Sequence, residues 1–147
     1  MSVLDKIIET KKKELENPIQ TCGCGSTLIR KPLDFLTVLN GKNVSVVAEV
    51  KIKSPSEGIL NNQLDPVEIA RSYERNGASA ISVLTDHKYF GGSPKLLTQI
   101  KSAVNLPILR KDFIISSRQV EESANLGADA LLLIADVLEF DVLKALY

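Results

Sequence analysis

The sequence has little of what binding a metal, a membrane or a polyanion demands. Its 147 residues include no Trp, one His and two Cys, and its 18 Lys and Arg are balanced by 18 Asp and Glu. Zero net charge argues against a protein that coats a polyanion, so we expect no nucleic-acid partner. No apolar run reaches the roughly 18–20 residues of a membrane span, and no secretory signal pattern opens the sequence. We therefore expect a cytoplasmic protein without a membrane partner.

The two cysteines, Cys22 and Cys24, lie close together in a glycine-rich stretch. A structural zinc site needs four ligands, and the single histidine, His87, is far from them in the chain. We interpret the pair as two ordinary thiols and expect no metal site.

The first 42 residues are predicted to form a helical extension. Apolar residues recur at helical spacing between Val3 and Glu16, which indicates a first helix. They are Leu4, Ile7, Ile8 and Leu15. The run Lys11–Lys13 is interpreted as the solvated face of this helix. A second, short helix is expected over residues 33–40.

Residues 43–147 alternate apolar runs with amphipathic segments and short links. Strands are expected over residues 44–50, 80–85, 106–109 and 130–135, with helices that begin near Asp65, Ser93, Ser116 and Phe140. Such alternation predicts a parallel α/β sheet, either doubly wound or closed into a (β/α) barrel. The glycine-rich loops typical of nucleotide-binding sheets follow none of the strands, which weakens the doubly wound alternative.

Charged residues near the ends of two predicted strands are the main candidates for chemistry. Glu49 and Lys51 alternate along the first strand and so face the same side, and Lys111 lies just past the apolar part of the third. Charges at the end of a buried strand are costly unless they are paired or functional. In a barrel they would converge on the face where active sites form. The alternative is an ion pair that merely closes the end of the barrel.

Four segments together resemble the indole-3-glycerol-phosphate synthase family. They are residues 48–58 (AEVKIKSPSEG), 81–86 with 89–93 (ISVLTD and YFGGS), 107–114 (PILRKDFI) and 127–134 (GADALLLI). The segments occur in the same order as in the family, and the E-x-K-x-K-S-P-S and L-R-K-D-F motifs in combination are highly specific. The resemblance runs from the N-terminal helix to the last residue.

The resemblance implies a (β/α)8 TIM barrel preceded by an N-terminal extension, with residues 1–42 as the extension and 43–147 as the first four strand–helix units. It implies an enzyme of tryptophan biosynthesis, a carboxy-lyase without cofactor. The family closes the indole ring of 1-(2-carboxyphenylamino)-1-deoxyribulose 5-phosphate with loss of carbon dioxide and water. The expected partner is therefore a small anionic substrate.

The motif positions also imply residue roles. Lys111 looks like the general acid that protonates the substrate's ketone oxygen, and Lys51 like the cation that meets the substrate carboxylate and assists dehydration. Glu49 would orient and charge-balance the two lysines. The remaining residues implied at the substrate are Lys53 and Ser54 at the mouth, and Phe90, Phe113 and Leu132 as walls of an aromatic pocket.

Only four of the eight units of such a barrel are recognised before Tyr147. We therefore expect negligible turnover by this chain alone, and association with itself or with the C-terminal half of a barrel. Two alternatives stay open: a non-catalytic, self-associating half-barrel, and another phosphate-sugar barrel such as phosphoribosylanthranilate isomerase. The E-x-K-x-K-S-P-S segment argues against the isomerase.

Overall fold

A computed structural model describes residues 2–16, 31–41, 43–56, 58–60 and 64–147. Cys22 and Cys24 lie outside these ranges, so the expectation of two ordinary thiols stays a prediction. The boundary expected between residues 42 and 43 also stays a prediction.

Two helices and three strands come first in the described part of the chain, and from residue 66 onward helices and strands alternate. The helices are α1 (Val3–Glu16), α2 (Phe35–Leu39), α3 (Pro66–Arg75), α4 (Lys95–Ala103), α5 (Ser117–Asn125) and α6 (Phe140–Leu146). The strands are β1 (Val47–Val50), β2 (Lys53–Ser54), β3 (Gly58–Ile59), β4 (Ala80–Leu84), β5 (Ile108–Lys111) and β6 (Ala130–Leu131).

The main sheet has the order β1-β4-β5-β6, and each neighbouring pair of strands is parallel. Consecutive units thus lie side by side, as in a (β/α) barrel, and the order does not reverse as it does in a doubly wound sheet. The predicted α/β class with a parallel sheet is confirmed. Strands β2 and β3 form a separate antiparallel pair in the segment after β1, where the sequence pattern predicts no strand.

The core lies between the sheet and the helices α3 and α4. Its fully buried side chains include Val50, Ile81, Val83, Ala70, Leu97, Ile100 and Ile108. Burying each of the larger ones contributes roughly 1.5–3 kcal/mol relative to leaving it exposed. The near-continuous apolar strand β4 is buried at every position, as is typical of a parallel strand with both faces covered.

The predicted bounds of all four strands were wrong, although the second differs only in ending at Leu84 and not at Thr85. The first strand begins at Val47 and not at 44, and Val44 and Val46 are exposed. The third covers Ile108–Lys111, since Pro107 has no N–H to donate to the ladder. The fourth is confined to Ala130–Leu131 and not extended to residue 135. The apolar runs were read correctly as strands, but the extent of each ladder depends on where its neighbour offers hydrogen-bond partners.

The helix starts follow the local sequence. Asp65 is the N-cap of α3, its side chain accepts a hydrogen bond from the amide of Val67, and Pro66 occupies the first turn. Ser116 caps α5 in the same way through the amide of Arg118. The second helix begins later than expected because Asp34 serves as its N-cap.

Helix α1 follows the predicted bounds, but one of its faces was misassigned. Lys11 is buried, whereas Lys12 and Lys13 are exposed. Lys11 lies four residues after Ile7 and four before Leu15, so helical geometry places it on the apolar stripe. The interpretation of the whole lysine run as a solvated face was therefore wrong for Lys11.

Candidate active site

The carboxyl ends of the parallel strands bring the predicted site residues to one edge of the sheet. Lys51 follows β1, Lys111 ends β5, and Leu132 follows β6. The amide of Leu132 donates to the carbonyl of Arg110 over 3.2 Å, which aligns it with the end of β5. Edges of this kind are where α/β folds bind ligands.

Lys111 and Glu49 form the central pair of this edge. The Nζ of Lys111 lies 3.1 Å from Oε2 of Glu49. The two strands are not neighbours, because β4 lies between them. Both side chains keep access to solvent, at 41% for Lys111 and 34% for Glu49. The predicted convergence is thus observed for these two residues, and the ion pair is open to an incoming molecule.

The other two lysines lie in the segment after β1. Lys51 is half-buried, and within the described ranges no hydrogen bond or ion pair engages its ammonium group. Lys53 belongs to β2, and its amide donates to the carbonyl of Phe90 over 3.2 Å. The buried Ser54 places its hydroxyl 3.4 Å from that of Ser56. The segment therefore offers two cations and two hydroxyl groups beside the loop that carries Phe90.

Two aromatic rings from different loops face each other at this edge. The ring centroids of Phe90 and Phe113 lie 6.3 Å apart with an interplanar angle of 33°. This separation is within the range for favourable aromatic pairs. The rings provide an apolar surface at the same edge as Lys111.

A buried charge cluster lies behind the two aromatic loops. The Nζ of Lys11 lies 2.9 Å from Oδ2 of Asp86, 3.1 Å from Oδ1 of Asp112 and 3.1 Å from Oε2 of Glu14. Asp86 and Asp112 are each almost fully buried. Asp86 also caps the loop after β4, because its Oδ1 accepts the amides of Tyr89 and Phe90.

Arg110 extends this cluster toward α5. Its guanidinium is buried and contacts Oδ2 of Asp112 at 3.3 Å and Oε2 of Glu122 at 2.7 Å. Its Nε donates to the hydroxyl of Thr85 over 3.1 Å. Because side chains alternate along a strand, Arg110 faces the helices while Lys111 faces the opposite side of the sheet.

The cluster perturbs two ionisation equilibria. Burial opposes the charge of Asp112, but Lys11, the Thr85 hydroxyl and Arg110 outweigh it and hold the pKa of this carboxyl below its usual value. Burial likewise disfavours the Lys11 ammonium, but Asp112 and Asp86 outweigh it and raise the pKa of that group above the usual lysine value. Both residues are therefore charged near neutral pH.

Comparisons with known proteins identify the family of the chain. The sequence model of the indole-3-glycerol phosphate synthase family matches residues 4–147. The chain belongs to this family. The resemblance inferred from the four sequence segments is thereby confirmed, and the match carries the synthase description and not that of the isomerase alternative.

Curated indole-3-glycerol phosphate synthases align with nearly the whole chain. The one from Geobacillus thermodenitrificans is 49% identical over 148 residues, and the one from Priestia megaterium is 50% identical over 145 residues. Each alignment covers 99% of this chain and 56% of the relative. A more distant synthase, from Dechloromonas aromatica, is 41% identical over 153 residues, which is 58% of its length. The chain thus spans little more than half the length of the synthases it matches.

None of the helices among the described residues is long and apolar enough to cross a membrane. No group of three or more His, Cys, Asp or Glu side chains among these residues is placed to hold a metal ion.

The sequence pattern of this synthase-family chain did not reveal the buried cluster. Lys11 was predicted to be exposed to solvent. No role was predicted for Arg110 or Asp112, although they flank Lys111 in the sequence. One signal was available: the four-residue spacing from Ile7 and to Leu15 marks Lys11 as an inward-facing cation. The local sequence does not indicate the partners of Lys11, because these partners come from two distant loops.

Proposed function

We propose that this chain supplies the Lys111–Glu49 part of the active site of an indole-3-glycerol phosphate synthase. The observation that carries the proposal is the solvent-accessible Lys111–Glu49 pair, which lies at the same sheet edge as the Phe90–Phe113 rings in a chain of this family. The reaction is ring closure of 1-(2-carboxyphenylamino)-1-deoxyribulose 5-phosphate with loss of carbon dioxide and water.

Lys111 is the proposed general acid. As the ring carbon that bears the carboxylate attacks the ketone carbon, the ketone oxygen gains negative charge and takes a proton from the Lys111 ammonium. The carboxylate then leaves as carbon dioxide. Glu49, already hydrogen-bonded to this ammonium, holds it in place and balances its charge. A positioned general acid typically contributes about 10²–10⁴-fold to the rate.

Lys51 and Lys53 suit the anionic groups of such a substrate. The Lys51 ammonium has no competing carboxylate within the described ranges, which leaves it available to the substrate carboxylate and then to the departing hydroxyl group. Lys53 and Ser54 would line the mouth of the site. Charge-assisted hydrogen bonds of this type are stronger than neutral ones.

The apolar walls would serve positioning. Phe90 and Phe113, with Leu132 at the neighbouring strand end, would enclose the aromatic ring of the substrate and hold it against the ketone carbon. Restricting two reacting groups to an attack geometry lowers the barrier substantially, because the entropy of bringing them together is lost on binding and not in the reaction step.

The remaining part of the site is proposed to come from another polypeptide segment. Val46 and Val47 are exposed at the start of β1, and among the described residues β1 and β6 each pair with a strand on one side only. Unpaired parallel edges favour the addition of further strands. Strands that correspond to the remaining length of the relatives would complete the barrel there. The cytoplasmic location stays a prediction.

A hybrid enzyme tests the proposed function. Residues 1–147 of this chain replace the matched 56% of the Geobacillus thermodenitrificans relative, and product formation is followed by indole fluorescence. We expect turnover by the hybrid and a loss of at least ~100-fold in kcat for Lys111→Met. Lys95→Met, at an exposed position of α4, is the matched control and should leave kcat unchanged. A folded hybrid without turnover, or a Lys111→Met variant with full turnover, would contradict the proposal.

A non-catalytic, self-associating half-barrel is the second candidate, and the exposed valines at the β1 edge favour it. A polypeptide of these 147 residues is expected to show negligible turnover and to sediment as a dimer or larger species. A stable monomer would argue against self-association, and turnover near that of the relative would argue against both expectations.

A further inference from the structure

Lys11 joins the two loops that carry the aromatic walls. It belongs to α1, outside the parallel sheet, yet its ammonium contacts Asp86 after β4 and Asp112 after β5. Both aspartates lie at the carboxyl edge, and Asp112 directly follows Lys111 in the chain. One buried cation therefore bridges the ends of two neighbouring strands.

Each aspartate divides its oxygens between Lys11 and the loop backbone. Asp86 uses Oδ2 for Lys11, while its Oδ1 accepts the amides of Tyr89 at 2.7 Å and Phe90 at 3.3 Å. Asp112 uses Oδ1 for Lys11 and for the amide of Phe113, at 3.1 Å and 2.8 Å. Asp86 thus connects the Lys11 ammonium to the backbone of Phe90, and Asp112 connects it to the backbone of Phe113.

The same cluster fixes the backbone around Lys111. Arg110 and Asp112 flank it, and their side chains contact each other at 3.3 Å on the helix side of the sheet. The Thr85 hydroxyl, at the end of β4, donates to Asp112 over 2.5 Å. With both neighbours held on one side, the Cα–Cβ direction of Lys111 on the other side is constrained.

A second buried ion pair in the chain provides an internal comparison. Lys101 on α4 pairs with Asp129, and Asp129 also accepts the amides of Leu33 and Ile108. Ile108 begins β5, so this pair stabilises the opposite, amino end of the strands. Both lysines are buried, but Lys11 contacts three carboxylates and Lys101 contacts one, and of the two only Lys11 is connected to the carboxyl edge.

We propose that Lys11 is a positioning residue of the site, which sets the separation of the Phe90 and Phe113 walls and the direction of Lys111. The inference rests on the proposed function, because positioning is defined here relative to that reaction. Lys11 does not touch the substrate; it acts through Asp86 and Asp112. Removing its charge releases both carboxylates from their common partner, and the two loops then move independently.

The test compares three substitutions in the hybrid enzyme: Lys11→Met, Lys11→Arg and Lys101→Met. Displacements of about 1 Å at a reacting group can cost roughly 100-fold in rate. We expect Lys11→Met to lower kcat by about 10–100-fold with a smaller change in KM, and Lys11→Arg to recover most of the loss. Lys101→Met removes an equally buried cation and should leave kcat within about twofold.

Amide hydrogen exchange gives a readout that does not depend on activity. It is measured on the chain itself and on the hybrid. In Lys11→Met the amides of Phe90 and Phe113 should exchange faster relative to that of Ile81 in the core of β4. In Lys101→Met the selective increase should instead occur at Leu33 and Ile108.

The outcomes separate the positioning role from a purely structural one and from the proposed function. Equal losses of kcat in Lys11→Met and Lys101→Met, after correction for the folded fraction, would overturn the positioning role. Unchanged exchange at Phe90 and Phe113 in folded Lys11→Met would also overturn it. The parent hybrid could fold but be inactive, while exchange at these amides still increases selectively in Lys11→Met. The proposed synthase activity would then be wrong, but the coupling of Lys11 to the two loops would stand.

Discussion

The ammonium of Lys111 reaches the carboxylate of Glu49 across an intervening strand. Glu49 lies level with Ser82 of β4 and Lys111 lies level with Leu84, so the pair also connects two successive layers of side chains. The pair is thus formed by the tertiary arrangement of three strands and not by direct strand pairing.

This pair is expected to matter for chemistry more than for stability. Both side chains are more than a third exposed. Ion pairs that are exposed to this degree contribute at most about 1 kcal/mol to the free energy of unfolding. Glu49→Gln should therefore change the unfolding free energy of the chain by less than ~1 kcal/mol. In the hybrid it should lower kcat by at least ~10-fold, because the acid loses its orienting partner.

Denaturant unfolding and product fluorescence measure these two effects. A loss of several kcal/mol with little change in kcat would instead make the pair a structural bridge at the barrel end. Double substitution with Lys111→Met tests the coupling, since Glu49→Gln should then cost little further activity.

Asp112 should make the stability of the chain sensitive to acid. Its pKa is lower in the folded chain than in the unfolded chain, so the unfolded state binds protons first as the pH falls. Its contribution to stability is complete above the unfolded value near ~3.9 and is lost as the pH falls through the lower, folded value. The difference in unfolding free energy between the chain and Asp112→Asn should shrink over that range.

Urea unfolding at a series of pH values checks this dependence. Asp136→Asn, at an exposed position, is the control and should leave the unfolding free energy close to that of the unchanged chain. The two unfolding free energies, of the chain and of Asp112→Asn, could instead differ by a constant amount down to the lowest pH at which both fold. That result would contradict the lowered pKa of Asp112 in the folded chain.

Gly92 should tolerate no side chain. A Cβ at this position would lie 2.1 Å from the carbonyl oxygen of Leu84 and 2.9 Å from Cα of Thr85. Both are backbone atoms that cannot rotate away, so Gly92→Ala should destabilise the chain by roughly 1–3 kcal/mol or more. It should also displace the loop that carries Phe90.

Gly41→Ala is the matched control, because nothing lies within 4 Å of its added Cβ. Thermal unfolding followed by circular dichroism measures both variants. Equal unfolding temperatures for Gly92→Ala and the unchanged chain would contradict this prediction. They would show that the backbone accommodates the added Cβ without loss of stability.

Tyr89 should contribute to the docking of α1 through its hydroxyl group. That oxygen lies 3.0 Å from the hydroxyl of Thr10 and donates to the carbonyl of Lys6 over 3.2 Å. Tyr89→Phe should cost about 0.5–1.5 kcal/mol of unfolding free energy, the net value of such hydrogen bonds. Tyr147→Phe, at a fully exposed position, should cost nothing measurable by the same denaturant titration.

Much of the fold and part of the site could be predicted from local sequence. Apolar runs gave the strands, Asp65 with Pro66 gave a helix start, and the period-two alternation brought Glu49 and Lys111 to one side of the sheet. The ends of the strands were predicted less accurately, because a strand ladder extends only as far as the neighbouring strand offers hydrogen-bond partners. The antiparallel pair β2–β3 was missed for a related reason, since each of its strands has two residues and too little pattern to detect.

The sequence by itself determined the α/β class, the family and the convergence of charge at one sheet edge. These follow from periodicity and from residue order, which are local properties. Only the tertiary structure decided the burial of Lys11 and its two carboxylate partners, Asp86 and Asp112. Spacing places Lys11 on the inward stripe of its helix, but the partners that make its burial favourable come from loops far along the chain. A buried charge is stable only where such partners meet, and that meeting exists only in the folded chain.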